Sequence, residues 1–269
     1  MVASLNKLAI SPALPMSITY EQPLNERIRT CLRLEFLFEQ ASHAMLGQGA
    51  TDSRNTLSCL IDTLNVLNRG DLKAEFIKEL ERLETVLSRL TQSPGVDQRR
   101  LAKILEELHS LRDQMLATSG LIGQELRNNE LLNCVRQRSS IPGGTCDFDL
   151  PYYHYWLERP HRERTQDMQT WLAELAPIRQ STDLILHLIR ESSLPSQEIA
   201  ASGLLNKSLV QTTPPCQLIR VTVPASLGYY PEISAGKHRF SVRFMQLHMD
   251  RRPTQSPDDI TFELTCCAL

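Results

Sequence analysis

The sequence contains 269 residues, of which 41% are hydrophobic, with 29 Lys plus Arg set against 31 Asp plus Glu. A chain of this length can bury roughly three-quarters of the surface that its unfolded form exposes, so the composition excludes global disorder. The formal net charge of -2 argues against a dedicated nucleic-acid-binding protein, because phosphate contacts usually leave such a domain basic.

Residues 1–17 are predicted to be a disordered leader, or to reflect a start codon placed too early with Met16 as the true first residue. Pro12 and Pro15 interrupt the short apolar run that would otherwise imitate a secretory signal peptide. We therefore expect the folded part of the chain to begin near residue 18.

From about residue 24 to residue 191, apolar residues recur at spacings of three and four, which predicts amphipathic helices. The clearest stripe consists of Leu72, Phe76, Leu80, Leu83, Leu87 and Leu90. Such stripes favour packing into a bundle, so residues 18–192 are predicted to form an α-helical domain. The predicted helices lie near 51–69, 71–90, 97–115, 121–138, 163–175 and 177–191.

Beyond Ser192 the apolar repeat changes to a period of two, which is typical of half-buried strands. One such segment carries Arg239, Ser241 and Arg243 on one face, and its aromatic and branched residues on the other. The predicted strands lie at 218–223, 239–244, 260–266 and in a fourth region near 198–210.

The predicted fold class is α+β, with an N-terminal α-helical bundle domain over 18–192 and a C-terminal small antiparallel β-sheet domain over 193–269. A sheet with one apolar face must bury that face against another layer. We expect a single small sheet laid on the helices.

The seven cysteines are an odd number and have neither the density nor the pairing of a secreted disulfide scaffold. No apolar run approaches the roughly 18 residues that a membrane-spanning helix needs. These features predict a cytoplasmic protein without direct membrane insertion.

Common catalytic motifs are missing from the sequence. Gly47-Gln48-Gly49 lacks the glycine and lysine that a phosphate-binding loop needs, and the spacing of Cys146, His154 and His161 matches no common zinc pattern. We predict no enzyme, no catalytic residue, no metal and no cofactor. The alternative interpretation is an enzyme that uses a metal ion or a thiol at Cys146 and His154.

The segment 141–157 combines two glycines, two prolines and two aspartates, which predicts a rigid, turning connector between helices. Its aromatic side chains supply apolar mass to hold the connector in place. His154 lies among them and is a candidate for exposure and binding.

A second distinctive segment, 236–245, brings Lys237, Arg239 and Arg243 together with no acidic residue between them. Residues four apart in a strand stand roughly 13 Å apart on one face, a spacing suited to carboxylates along an extended peptide. Arg220 is predicted to join them from a neighbouring strand. A merely solvated sheet face is the alternative interpretation.

These two segments, together with Pro23-Leu24-Asn25-Glu26 and the closing Phe262-Glu263-Leu264-Thr265-Cys266-Cys267, resemble the ZapD family of bacterial cell division proteins. The resemblance covers residues from about 18 to 267 in the same order. It implies a non-enzymatic cytoplasmic homodimer, with an α-helical and a β domain, at the division site at mid-cell.

The resemblance further implies that the chain binds the C-terminal tail of the tubulin-like protein FtsZ and bundles FtsZ filaments. Basic contacts for that tail are implied at Arg29, His154, Arg239 and Arg243. Without the resemblance, the strand pattern alone indicates only Arg239 and Arg243 as contacts.

A single-strand nucleic-acid-binding module that uses the basic face of the sheet is the alternative function. Arg239-Phe240-Ser241-Val242-Arg243-Phe244 loosely resembles the aromatic and basic strand of RNA-recognition sheets. The excess of acidic residues disfavours this alternative.

Overall fold

The computed structural model describes residues 17–209, 214–236 and 238–269. The predicted leader, apart from Ser17, lies outside these residues, so its conformation stays a prediction. The chain divides into two compact units. The helical unit spans Asn25–Arg190 and includes Leu269, and the sheet unit contains the described residues up to Leu24 together with Glu191–Ala268.

Nine α-helices form the described helical unit, and the predicted apolar stripe of the third is buried from Leu72 to Leu87. A short 3-10 turn at Arg89–Gln92 follows that helix, and Leu90 within it is exposed. The helices are α1 (Glu26–Ala44), α2 (Ala50–Val66), α3 (Leu72–Ser88), α4 (Gln98–Ala117), α5 (Gln124–Asn128), α6 (Glu130–Arg138), α7 (Pro151–Glu158), α8 (His161–Ala173) and α9 (Ala176–Arg190).

Helix α7 begins inside the segment 141–157, which was predicted to be a rigid, turning connector between helices, so that prediction is wrong for the second half of the segment. Pro151 stands in the first turn, where a missing N–H costs nothing. Tyr153, Trp156 and Leu157 follow at helical spacing and are buried. The Trp156 ring lies 5.7 Å from that of Trp171 in α8, so aromatic packing holds α7 as a helix.

Eight strands form two antiparallel sheets in the described sheet unit. Sheet A has the order β1-β4-β8-β2, and sheet B has the order β3-β6-β5 with β7 also paired to β6. The strands are β1 (Ser17–Pro23), β2 (Ser196–Ala200), β3 (Leu204–Ser208), β4 (Leu218–Pro224), β5 (Tyr230–Ala235), β6 (Arg239–Gln246), β7 (Thr254–Gln255) and β8 (Ile260–Cys267).

The apolar faces of the two sheets pack on each other, so the prediction of a single sheet is wrong, whereas the predicted α+β class is confirmed. Val221 of β4, Phe262 of β8 and Val242 of β6 belong to one buried cluster. The rings of Phe244 and Phe262 meet edge to face with centroids 5.1 Å apart. Each sheet thus supplies the layer that covers the other.

Strand β1 belongs to the sheet unit, although residues 18–23 were predicted to lie in the helical domain. It pairs with β4 in antiparallel register, with Tyr20 opposite Val221 and Glu21 opposite Arg220. The β-branched Ile18 and Thr19 next to Tyr20 favour an extended backbone, but the pairing joins segments about 200 residues apart and leaves no local signal.

Within the described ranges, every helix is too short or too polar to cross a bilayer.

Candidate functional site

Strand β6 exposes Arg239 and Arg243 on one face and buries its apolar residues on the other. Phe240, Val242 and Phe244 are at most 2% exposed, which confirms the predicted alternation. The apolar side is anchored between the sheets, so the strand holds both arginines on a fixed backbone.

Neither of the two guanidinium groups has a hydrogen bond or ion pair to another residue within the described ranges. Glu232 of β5 lies opposite Arg243 in register but forms no ion pair with it within 4.0 Å. A guanidinium has five N–H donors and no internal acceptor here, so both side chains are free to bind an external anion.

A concave site of about 370 Å³ lies beside Arg239 on the outer face of sheet B. Asn206 of β3, Ser241 of β6 and Ser234 of β5 stand in one register row across the sheet and line it. We call Arg239, Ser241, Arg243, Asn206 and Ser234 together the β6 basic face. Amide and hydroxyl donors beside a guanidinium suit a carboxylate.

Asn206 and Ser234 were missed by the sequence analysis. Each is an ordinary polar residue of a short strand, and only the pairing of β3 and β5 on either side of β6 brings both to Ser241. No signal in the sequence gives that register.

Arg220 does not lie beside these arginines, so the prediction that it joins them from a neighbouring strand is wrong. It lies on β4 in sheet A, whereas β6 lies in sheet B. Its Nε donates to Glu21 Oε1 at 2.8 Å across the β1–β4 pair. Lys237 falls outside the described residues.

Arg29 and His154 lie in the helical unit, and each has a carboxylate partner. Arg29 Nη1 lies 3.6 Å from Glu26 Oε2 on the exposed face of α1. His154 Nδ1 lies 3.2 Å from Asp147 Oδ1, and its side chain is 44% exposed. Both side chains are accessible, although a partner anion must compete with the carboxylate that each already contacts at the surface.

Arg164 of α8 fixes the C-terminal end of α7, the helix that carries His154. Its buried guanidinium donates to Ser53 Oγ at 3.1 Å, to the carbonyl oxygens of Arg159 and Gln48 at 2.9 Å, and to that of Leu157. The charge is therefore held by oxygen dipoles from three parts of the helical unit.

Replacing Arg164 by Met is expected to lower the free energy of unfolding by about 2 to 4 kcal/mol, because it leaves buried carbonyl oxygens without donors. Urea denaturation measures this change. Arg162→Met is the matched control, since Arg162 is exposed on the same helix. A loss at Arg164 no larger than that of the control would contradict the assignment.

The side chains of Cys146 and His154 do not form the metal site that the alternative interpretation requires. Cys146 Sγ donates to Asp149 Oδ2 at 3.4 Å, and His161 lies within hydrogen-bond distance of Thr165. Within the described ranges, no group of three or more His, Cys, Asp or Glu side chains is placed to hold a metal ion.

The nucleic-acid alternative requires aromatic rings on the exposed face of a sheet, where bases can stack. Phe240 and Phe244, the rings that suggested it, are buried between the sheets. The outer face of β6 carries arginines and a serine instead. This arrangement favours anionic groups over stacked bases.

Comparison with known proteins identifies close relatives over almost the whole chain. A family model described as "ZapD: Cell division protein" matches residues 32–243. A protein of Methylococcus capsulatus, named "Cell division protein ZapD", is 42% identical over 252 residues, covering 94% of this chain and 98% of the relative. Proteins of the same name from Azoarcus sp. and Coxiella burnetii are 39% and 37% identical, each over 94% of this chain and over 100% and 98% of the relative, respectively.

Proposed function

Because this chain belongs to the ZapD family of cell division proteins, we propose that it binds the C-terminal tail of FtsZ and crosslinks FtsZ filaments. The observation that carries this proposal is the β6 basic face, on which Arg239 and Arg243 stand exposed and without an internal acidic partner. An acidic tail would supply the carboxylates that these guanidiniums lack.

Arg239 and Arg243 are four positions apart along a regular strand, which corresponds to roughly 13 Å. An extended peptide could place carboxylates about four residues apart on both of them at once. Arg29 and His154 are proposed as further tail contacts in the helical unit. Lys237 stays a prediction, and Arg220 is left out because Glu21 already accepts its hydrogen bond.

Crosslinking requires at least two tail sites in one particle, since one site cannot bridge two filaments. A twofold homodimer supplies a second copy of the β6 basic face automatically. We therefore propose that the active particle is a homodimer. It would act without catalysis, in the cytoplasm, at the division site at mid-cell.

Co-sedimentation with FtsZ filaments tests this function. We expect the protein to pellet with full-length FtsZ and to increase the pelleted mass, and to stay in the supernatant when the FtsZ tail is removed. Equal pelleting with tail-less filaments would overturn the proposed recognition of the tail. A labelled single-stranded oligonucleotide serves as the competing ligand, and tight binding to it with no response to the tail would favour the alternative function.

Tail binding is expected to weaken severalfold as ionic strength rises from about 0.1 M to about 1 M, because the Debye length falls from about 10 Å to about 3 Å. Fluorescence anisotropy of a labelled tail peptide measures the affinity at each salt concentration. Unchanged affinity across this range would contradict a site built on exposed arginines. Filament bundling, which depends on many such weak contacts, should fade over the same range.

A further inference from the structure

The two arginines of the β6 basic face have different surroundings. Arg239 lines the concave site of about 370 Å³, and none of the described lining residues is acidic. Arg243 is not among those described lining residues, and it stands opposite Glu232 of β5. A carboxylate that approaches Arg243 therefore also meets a like charge, whereas one in the concave site meets a cation and neutral polar groups. The two positions thus suit different parts of a ligand.

The concave site offers hydrogen-bond acceptors as well as donors beside the guanidinium of Arg239. Asn206, Ser241 and Ser234 stand in one register row across β3, β6 and β5, and all three line the site. Within the described ranges, none of their side chains has a hydrogen bond to another residue. Because an amide and a hydroxyl can each donate and accept, the row presents unused groups of both kinds to a ligand.

This combination of groups matches the end of a peptide chain better than it matches an acidic side chain. A side-chain carboxylate is separated from its backbone by methylene groups and needs only donors. A terminal carboxylate adjoins the N–H of its own residue and the carbonyl oxygen of the preceding one, so it needs an acceptor and further donors close to its cation. Capture of a C-terminal carboxylate is one of the recurring modes of peptide recognition.

We propose that the concave site beside Arg239 binds the C-terminal carboxylate of the FtsZ tail. The inference rests on the proposed function and adds which part of the tail is held at this position. The guanidinium of Arg239 pairs with the terminal carboxylate, and Asn206, Ser234 and Ser241 bond to the carboxylate and to the last peptide unit. The charge of the ligand and the charge of the site are complementary.

This assignment also fixes the direction of the tail on sheet B. Arg239 is the first residue of β6, and Arg243 lies roughly 13 Å away along the strand. With the chain end at Arg239, the rest of an extended tail runs past Arg243, antiparallel to β6. An acidic side chain about four positions before the end of the tail then reaches Arg243.

Tail peptides that differ only near the C-terminus test the proposal in a fluorescence anisotropy assay with the label at the N-terminus. We expect the C-terminal amide to bind at least about tenfold more weakly than the free acid, because a hydrogen bond to a charged group is among the stronger ones. A free acid extended by two glycines keeps its charge but moves the carboxylate by about 7 Å. It should also bind at least severalfold more weakly than the unextended free acid.

Two matched variants assign the terminal carboxylate to one arginine. In Arg239→Gln, the free acid and the amide should bind with affinities within about twofold of each other, because the cation that distinguishes them is removed. In Arg243→Gln, both peptides should bind more weakly than to the wild type, but the difference of about tenfold between them should remain. Circular dichroism verifies that both variants fold.

Equal affinity of the wild type for the free acid and the amide would overturn this inference and leave the proposed function standing, because the tail would still bind. A difference between the two peptides that is lost in Arg243→Gln and kept in Arg239→Gln would contradict the placement of the chain end at Arg239. If neither peptide bound to the wild type, the proposed function itself would be overturned, and this inference with it.

Discussion

Reversing the charge of both Arg239 and Arg243 is expected to lower the affinity for an FtsZ tail peptide at least about 100-fold, and to abolish filament bundling. Each guanidinium that bonds a carboxylate contributes about 1.5 to 3 kcal/mol, and a glutamate in its place adds repulsion. Fluorescence anisotropy of the labelled tail measures the affinity, and co-sedimentation measures bundling.

The fold should survive this double substitution. Both arginines are exposed and without internal partners in the described chain, so the free energy of unfolding is expected to change by no more than about 0.5 kcal/mol. Circular dichroism and urea denaturation verify this, so that lost binding can be assigned to the site.

A matched control reverses two arginines outside the β6 basic face. Arg251→Glu combined with Arg252→Glu changes the net charge equally, in an exposed loop of the same unit. We expect a small effect on tail affinity. An equal loss in the control would show that overall charge, and not this face, governs binding.

Replacing Glu79 by Ala is expected to lower the free energy of unfolding by about 3 kcal/mol. The Glu79 side chain has no exposed surface, and its carboxylate lies 2.9 Å from Arg27 Nη1 of α1 and 2.7 Å from Arg82 Nη2. Removing the carboxylate leaves two guanidiniums close together without their shared anion. Urea denaturation followed by circular dichroism measures the loss.

Glu75→Ala is the control on the same helix. Glu75 pairs with Arg69 at 3.0 Å, but both side chains are about a third or more exposed, and such pairs contribute at most about 1 kcal/mol. If both variants lost equal stability, the buried ion pair would not link α1 to α3 as the geometry indicates. Glu79→Gln, which keeps one acceptor oxygen, should fall between the wild type and Glu79→Ala.

Local periodicity was sufficient to predict which residues of β6 face outward. A strand alternates its side chains with a period of two, so Arg239 and Arg243 follow from the positions of Phe240, Val242 and Phe244 without knowledge of any partner strand. The helical stripe of α3 was predictable for the same reason. In both cases the signal lies within one element.

Features that depend on pairing between distant segments could not be predicted in this way. The separation of Arg220 from Arg239 into different sheets depends on β4 pairing with β1 and β8, and not with β6. The row of Asn206, Ser241 and Ser234 likewise requires the register of three strands. The spacing of residues along the chain predicts neither arrangement.

Helix α7 shows a different limit of prediction from the sequence. The turn residues that precede it, together with Pro151, gave a correct signal for irregular backbone up to residue 150. The helical spacing of Tyr153, Trp156 and Leu157 covers only two turns and is decided by packing against Trp171 of α8. Short helices of this kind depend on tertiary contacts more than on propensity.

Native mass spectrometry of the protein with a saturating FtsZ tail peptide tests the bridging mechanism most directly, because it counts protein chains and bound peptides in the same particle. We expect two chains carrying two peptides, with peptide occupancy lost in the variant that reverses Arg239 and Arg243. A single chain that binds one peptide, under conditions where filaments are bundled, would contradict the mechanism.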